Sequence, residues 1–225
     1  MRKTLTEIGV KHGTDKATYH GYTEIYERYV SHLRDRKVNL LELGWGGHED
    51  PDAGGASARM WREYFPQANV VIVENQPKNG DTIPDDISFW LGSQDDAVMA
   101  GQIARSFGRF HVIVDDASHV SSLTIASFKL WWPHLAPGGI YVVEDTHGAY
   151  HSHYYGNDEA NMNPDAPTAS GQPTSMQFLR RLADEVNFKG RDEDEFDLFP
   201  RAYSQELNVA SVHFYFNLCI VIKGM

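Results

Sequence analysis

The chain is short of three things: cysteine, positive charge and long apolar runs. Its 225 residues contain a single cysteine, Cys219, which excludes a disulfide framework or a cysteine-based zinc site built within one chain. Cys219 lies in the run Phe216 to Ile222, where a small buried thiol is expected rather than a reactive one. Lys and Arg number 20 against 31 Asp and Glu, a formal charge of -11. Such a surface repels phosphate backbones and anionic membranes, so neither nucleic acid nor membrane is expected as a partner. No apolar stretch approaches the ~20 residues of a membrane span. Met1 to Glu7 lacks the apolar core of a secretion signal, and a cytoplasmic protein is expected.

What is present is ordinary globular material. Hydrophobic residues make up 41% and charged residues 23%, which suits a packed fold. The length suits one domain over residues 1–225. Short apolar runs end on acids at Glu42, Glu74, Asp115 and Glu144. They are almost continuously apolar, as strands buried on both faces are. Between them lie stretches of helical spacing: Tyr22 to Leu33, Ala56 to Phe65 ended by Pro66, Asp95 to Phe107, and Ser121 to Leu135. Ser121-Ser122 is expected to cap the last of these, and Pro137-Gly138-Gly139 to turn the chain into the next strand. Strand and helix in alternation mean an α/β fold with a parallel sheet. Residues 146–173 are polar and without period, and read as a long loop or lid. Thr174 to Phe188 is again helical, Arg191 to Glu195 reads as a solvated turn, and the tail carries two strand-like runs broken near Asn217, a hairpin for one sheet edge.

The first strand runs into Glu42-Leu43-Gly44-Trp45-Gly46-Gly47, a turn whose glycines let a ligand approach the backbone. One strand later, Glu74 stands where an acid accepts ribose hydroxyls. Ligands of open α/β sheets bind at these carboxyl ends. The spacing is not Gly-x-Gly-x-x-Gly, and the acid before the glycines would repel a diphosphate while suiting a cationic amino-acid head. An adenosine cofactor of the S-adenosylmethionine kind is favoured over NAD.

At this point the chain resembles the class I S-adenosylmethionine-dependent methyltransferases, and more narrowly the metal-dependent macrolide-sugar O-methyltransferases of antibiotic biosynthesis. The resemblance runs over most of the chain. It is carried by Gly13-Thr14-Asp15-Lys16, by His20 to Tyr26, by the Leu41 to Gly47 turn, and by Gly92-Ser93-Gln94-Asp95-Asp96. Asp115 to His119, Gly138 to Asp145 and Val212 to Phe216 complete it. The resemblance implies a Rossmann-like fold, a mostly parallel seven-stranded sheet with an antiparallel C-terminal hairpin strand, and an N-terminal helical segment, residues 1–35, over the cofactor. It also implies that Glu42 and Gly44, in the turn shared with Gly46, lie by the methionine part, that Glu74 binds the ribose, and that Ser93, Gln94 and Asp95 approach the adenine. Two departures stand out. The acidic segment His48 to Gly55 is long for its turn, and Ser93 occupies a place where an acid is expected.

Methylating an alcohol requires removing its proton, which a divalent cation eases by lowering the pKa of an oxygen it binds. Asp116, Glu144 and Asp145 offer the oxygen ligands that Mg²⁺ or another divalent cation takes. Consecutive strand-end residues point apart, so Asp115 is assigned to the cofactor side and Asp116 to the metal. His119 is expected to return to the same site through a helical turn and act as general base, the role the resemblance also implies. His147, His151 and His153 are read as solvent- or substrate-facing, and Tyr150, Tyr154 and Tyr155 as acceptor-pocket or packing residues. Trp131 and Trp132 are read as core or as a contact between copies, which would permit a homo-oligomer.

The expected function is Mg²⁺-dependent methyl transfer to a small-molecule hydroxylated acceptor, a sugar of a glycosylated polyketide or macrolide-type antibiotic. A catechol, phenol or hydroxylated β-lactam acceptor is an alternative. A non-catalytic cofactor-binding subunit is another, which the metal-type acids argue against.

Overall fold

The computed structural model describes residues 2–151, 171–188 and 207–225. The expectations for His153, Tyr154, Tyr155 and the 191–195 turn lie outside them. The chain divides into two compact units, residues 1–117 and 118–225.

The first unit begins with α1 (Leu5–His12), α2 (Asp15–Thr18) and α3 (Tyr22–Val30). Thr4 opens α1 with a capping box: Glu7 N donates to Thr4 Oγ1 at 3.1 Å, and Thr4 N donates to the Glu7 carboxylate at 2.8 Å. Gly13, at φ 72°, closes it in the left-handed form that glycine adopts without penalty. The sheet follows, with β1 (Asn39–Leu43), α4 (Ala56–Tyr64), β2 (Asn69–Glu74), β3 (Ile87–Leu91), α5 (Ala97–Phe107) and β4 (Phe110–Asp115). The strands lie side by side as β3-β2-β1-β4, and each adjacent pair is parallel. Leu41 is level with Val71 on one side and Ile113 on the other. All three are fully buried, as an apolar run covered on both faces requires.

Helix boundaries shift, and one strand was missed. The helix expected from Asp95 starts at Ala97, because Asp96 serves as its cap and accepts from Val98 N and Met99 N at 2.9 and 3.0 Å. Strand β3 went unread in the sequence. It lies at the outside of its unit, and only Ile87 of its five residues is buried.

The second unit holds α6 (Ser121–Trp131), β5 (Leu135–Glu144), α7 (Ser175–Phe188), β6 (Val209–Tyr215) and β7 (Leu218–Lys223). Strand β7 lies between β5 and β6 and is antiparallel to both. The tail hairpin is therefore present, with Asn217 at its tip in the left-handed region, φ 56°. The serines do not cap α6. Its N-cap is Val120, which makes no side-chain cap bond, and Ser121 Oγ instead accepts from Ser175 N at 2.9 Å. Pro137-Gly138-Gly139 lies inside β5, since the strand already starts at Leu135. Trp131 and Trp132 are 0% and 2% exposed within the chain itself, so both are core residues and neither is a surface for another copy. Lys223 Nζ donates to Trp132 O and Leu135 O, at 2.7 and 3.0 Å, tying the end of α6 to the start of β5.

Among the described residues no helix is long and apolar enough to cross a membrane. The second unit is centred on Phe128, fully buried, whose ring lies 4.8 Å from those of Trp132 and Tyr141 and 5.2 Å from that of Phe178. Phe128→Ala is expected to lower unfolding free energy by about 3–5 kcal/mol in urea titrations. A loss under about 1 kcal/mol would contradict this packing.

Candidate cofactor and metal-binding residues

The carboxyl ends of β1, β2 and β4 are tied by backbone. Gly44 N donates to Val73 O at 2.8 Å, and Asp116 N to Leu43 O at 3.0 Å. Gly44 has φ 107°, and a Cβ there would lie 2.2 Å from Asp116 O. Only glycine fits, for conformation and for space. Glu74, at the end of β2, accepts Trp45 N on one oxygen at 2.8 Å and Gln76 N on the other at 2.9 Å. Two backbone donors fix this carboxylate beside the glycine turn, and each oxygen keeps a lone pair for a ligand hydroxyl.

The long acidic segment after Gly47 is tied down. Gly55 N donates to Trp45 O at 2.7 Å, and Lys78 Nζ donates to His48 O and Asp50 O at 2.6 and 2.9 Å.

Glu42 is fully buried. Its Oε2 accepts the Ser57 hydroxyl at 2.8 Å, and Oε1 faces the Lys16 ammonium. Burial pushes its pKa up to about 7, against the opposing pull of the Lys16 ammonium; the Asp116 charge adds to the rise, and hydrogen bonds from Ser57 and Trp61 lower it. Lys16 Nζ lies 3.4 Å from Glu42 Oε1 and is in direct contact with Asp116 Oδ2. The sequence reading gave Lys16 no role. A signal existed, since a strand-end acid buried among apolar residues requires a cation, but nothing local says which lysine supplies it.

Of the residues expected near adenine, Ser93 and Asp95 are exposed and bonded to one another at 2.5 Å. Gln94 is buried, and its Nε2 donates to Asp115 Oδ1 at 3.3 Å. Asp115 is 2% exposed, whereas the side chain of Asp116 is 26% exposed. The consecutive acids thus differ in surroundings, Asp115 meeting Gln94 and Asp116 meeting Lys16. Gly46 has φ 78° with open space where a Cβ would stand, so its conformation alone calls for glycine.

In the second unit, His119 and Asp145 both sit in the left-handed region, at φ 56° and 49°. Non-glycine residues rarely do so, and such outliers gather at functional sites. His119 Nε2 is 3.8 Å from Asp145 Oδ2, with both side chains largely buried. No helical turn carries His119, because α6 starts only at Ser121; the positive φ redirects the chain instead. Glu144 is buried as the last residue of β5, level with Leu218. His147 falls in the 3₁₀ turn Thr146–Tyr150, half-buried, its ring 6.3 Å from that of His151.

No protein-family model matches the sequence. The chain is 36% identical over 222 residues to an 8-demethyl-8-(2-methoxy-alpha-L-rhamnosyl)-tetracenomycin-C 3'-O-methyltransferase of Streptomyces olivaceus, covering 98% of this chain and 54% of that one. It is 32% identical over 222 residues to the mycinamicin VI 2''-O-methyltransferase of Micromonospora griseorubida, covering 98% of this chain and 52% of that one. A solved structure of the MycE methyltransferase from the mycinamycin biosynthetic pathway, in complex with Mg and SAH, matches with TM-score 0.84 at 30% identity, over 100% of this chain and 54% of that chain. The chain therefore spans about half the length of the relatives it matches. The fold is that of a class I methyltransferase, a mostly parallel seven-stranded sheet with an antiparallel strand in its C-terminal hairpin, and the resemblance to sugar O-methyltransferases of antibiotic pathways holds.

The raised pKa of Glu42 has a stability consequence. Folding favours its protonated form, so this stabilisation is complete below the ordinary value of 4.5 and is lost as pH rises through about 7. Glu42→Gln should therefore gain in unfolding free energy relative to the unsubstituted chain between pH 5 and 8. A difference that does not change with pH would contradict the buried, cation-facing setting.

Proposed function

We propose that residues 1–225 act as one S-adenosylmethionine-dependent O-methyltransferase domain, akin to the sugar O-methyltransferases of antibiotic pathways, that methylates a hydroxyl of a glycosylated polyketide or macrolide-type acceptor. The observation that carries this reading is Glu42, a fully buried carboxylate two residues before Gly44, where the turn leaves no room for a Cβ. A carboxylate there suits the cationic amino group of the methionine part, and the same acid would repel a dinucleotide's phosphates. Glu42, Gly44 and Gly46 would hold this end of the cofactor, Glu74 the ribose, and Ser93, Gln94, Asp95 and Asp115 the adenine side. Lys16 lies on α2 and reaches Glu42, which supports the N-terminal helices as the cover over the cofactor.

Asp116, Glu144 and Asp145 would hold Mg²⁺ or another divalent cation. The donor chemistry fits: Asp116, Asp145 and His119 are side chains of a kind that could hold an ion, and carboxylate oxygens are the ligands Mg²⁺ prefers. MycE was solved with Mg, SAH and mycinamycin VI, which supports cofactor, metal and macrolide acceptor alike. When bound, the ion supplies Lewis acidity that brings an alcohol within reach of a neutral base. His119 would take the proton, the general-base role for which an imidazole within reach of the acceptor hydroxyl is suited. The Asp145 carboxylate, 3.8 Å from Nε2, steadies the imidazolium that results.

Methyl transfer from S-adenosylmethionine to a rhamnosylated polyketide or a desmethyl macrolide is the direct test. EDTA should abolish turnover and excess Mg²⁺ restore it; full activity in the chelator would refute the metal. His119→Ala should keep S-adenosylhomocysteine binding within about twofold while turnover falls at least ~100-fold. Loss of cofactor binding instead would refute the base assignment.

A further inference from the structure

Lys16 has a built position. Asp15 Oδ1 accepts Lys16 N at 2.9 Å, and α2 is drawn against α1 at Gly9, where a Cβ would come within 2.7 Å of Ala17 Cβ. The Lys16 side chain is 1% exposed, so its ammonium cannot turn to water. It faces two carboxylates of the first unit, Glu42 and Asp116. One of them belongs to the proposed cofactor pocket and the other to the proposed metal site.

We propose that Lys16 is a positioning residue that competes with the divalent cation for Asp116. It holds the carboxylate in place and neutralised until the ion claims the oxygen, then gives it up and stays with Glu42. The inference rests on Asp116 being a metal ligand. An ammonium and a divalent cation cannot share one carboxylate oxygen at contact distance without mutual repulsion, so each raises the concentration of the other needed to occupy it. Glu42 lets the exchange occur without leaving Lys16 as an uncompensated buried charge, a state that is strongly disfavoured. A cation held only to brace the fold would have the opposite signature, because removing it would loosen the site and weaken the ion.

The test is Mn²⁺ binding to the full chain, followed by the electron paramagnetic resonance signal of the free ion, at fixed pH with saturating S-adenosylhomocysteine. Lys16→Met should bind Mn²⁺ about tenfold tighter, the size of one charge-assisted hydrogen bond. Lys16→Arg, which keeps the charge, should stay within about twofold of the unsubstituted chain. If Lys16→Met does not fold, judged by circular dichroism and melting, Lys16→Gln is read in its place with the same expectation. A folded neutral variant that binds Mn²⁺ equally or more weakly overturns the competition. Asp116→Asn separates the two layers: if it binds Mn²⁺ as well as the unsubstituted chain, the metal assignment fails, and if it loses binding the Lys16 result stands alone.

Discussion

A carboxylate buried at the end of an apolar strand must be answered by a cation or a ligand, and the first unit is arranged around that demand at Glu42. Strand β1 carries the acid into the buried core, so its charged form is disfavoured. Two elements from elsewhere in the chain respond. Helix α4 brings the Ser57 hydroxyl to one oxygen. The short α2, held against α1 through Gly9 and Ala17, brings Lys16 towards the other. The N-terminal helices thus serve the strand ends electrostatically, through Lys16.

The same strand ends explain why the reactive groups fall where they do. Parallel strands deliver their last residues to one edge, so Glu42, Glu74 and Asp115 share an edge because β1, β2 and β4 run the same way. The turn at Gly44 lets the end of β1 come close against the backbone of Asp116. Where the chain leaves β4 and β5, no glycine is used. His119 and Asp145 take left-handed conformations themselves, and the conformational cost is offset by the surrounding fold.

Much of this was legible in the sequence because it depends on local pattern. The runs ending at Glu42, Glu74, Asp115 and Glu144 are apolar without interruption, and only buried strands need that. The acid before the glycine turn pointed to one class of cofactor, and the order of motifs pointed to the relatives that the chain matches. What escaped depends on partners far along the chain. Strand β3 is marked by its place at the outside of its unit, not by its residues. Ser121 looks like a cap until Ser175, 54 positions on, claims its hydroxyl. Lys16 is one lysine of a short motif until the fold sets it against Asp116, 100 positions away. His119 arrives by a left-handed kink, a conformation His adopts only a little more readily than most residues, so spacing alone gave the wrong path.

The kinks at 119 and 145 also restrict what descendants of this sequence can become. At φ 56° and 49° a branched side chain is strongly penalised, while asparagine, aspartate, histidine and glycine are tolerated. A lineage that gave up the imidazole would be steered to one of those few residues. It would keep the loop while losing the imidazole, and the altered chain would look, in backbone, like this one.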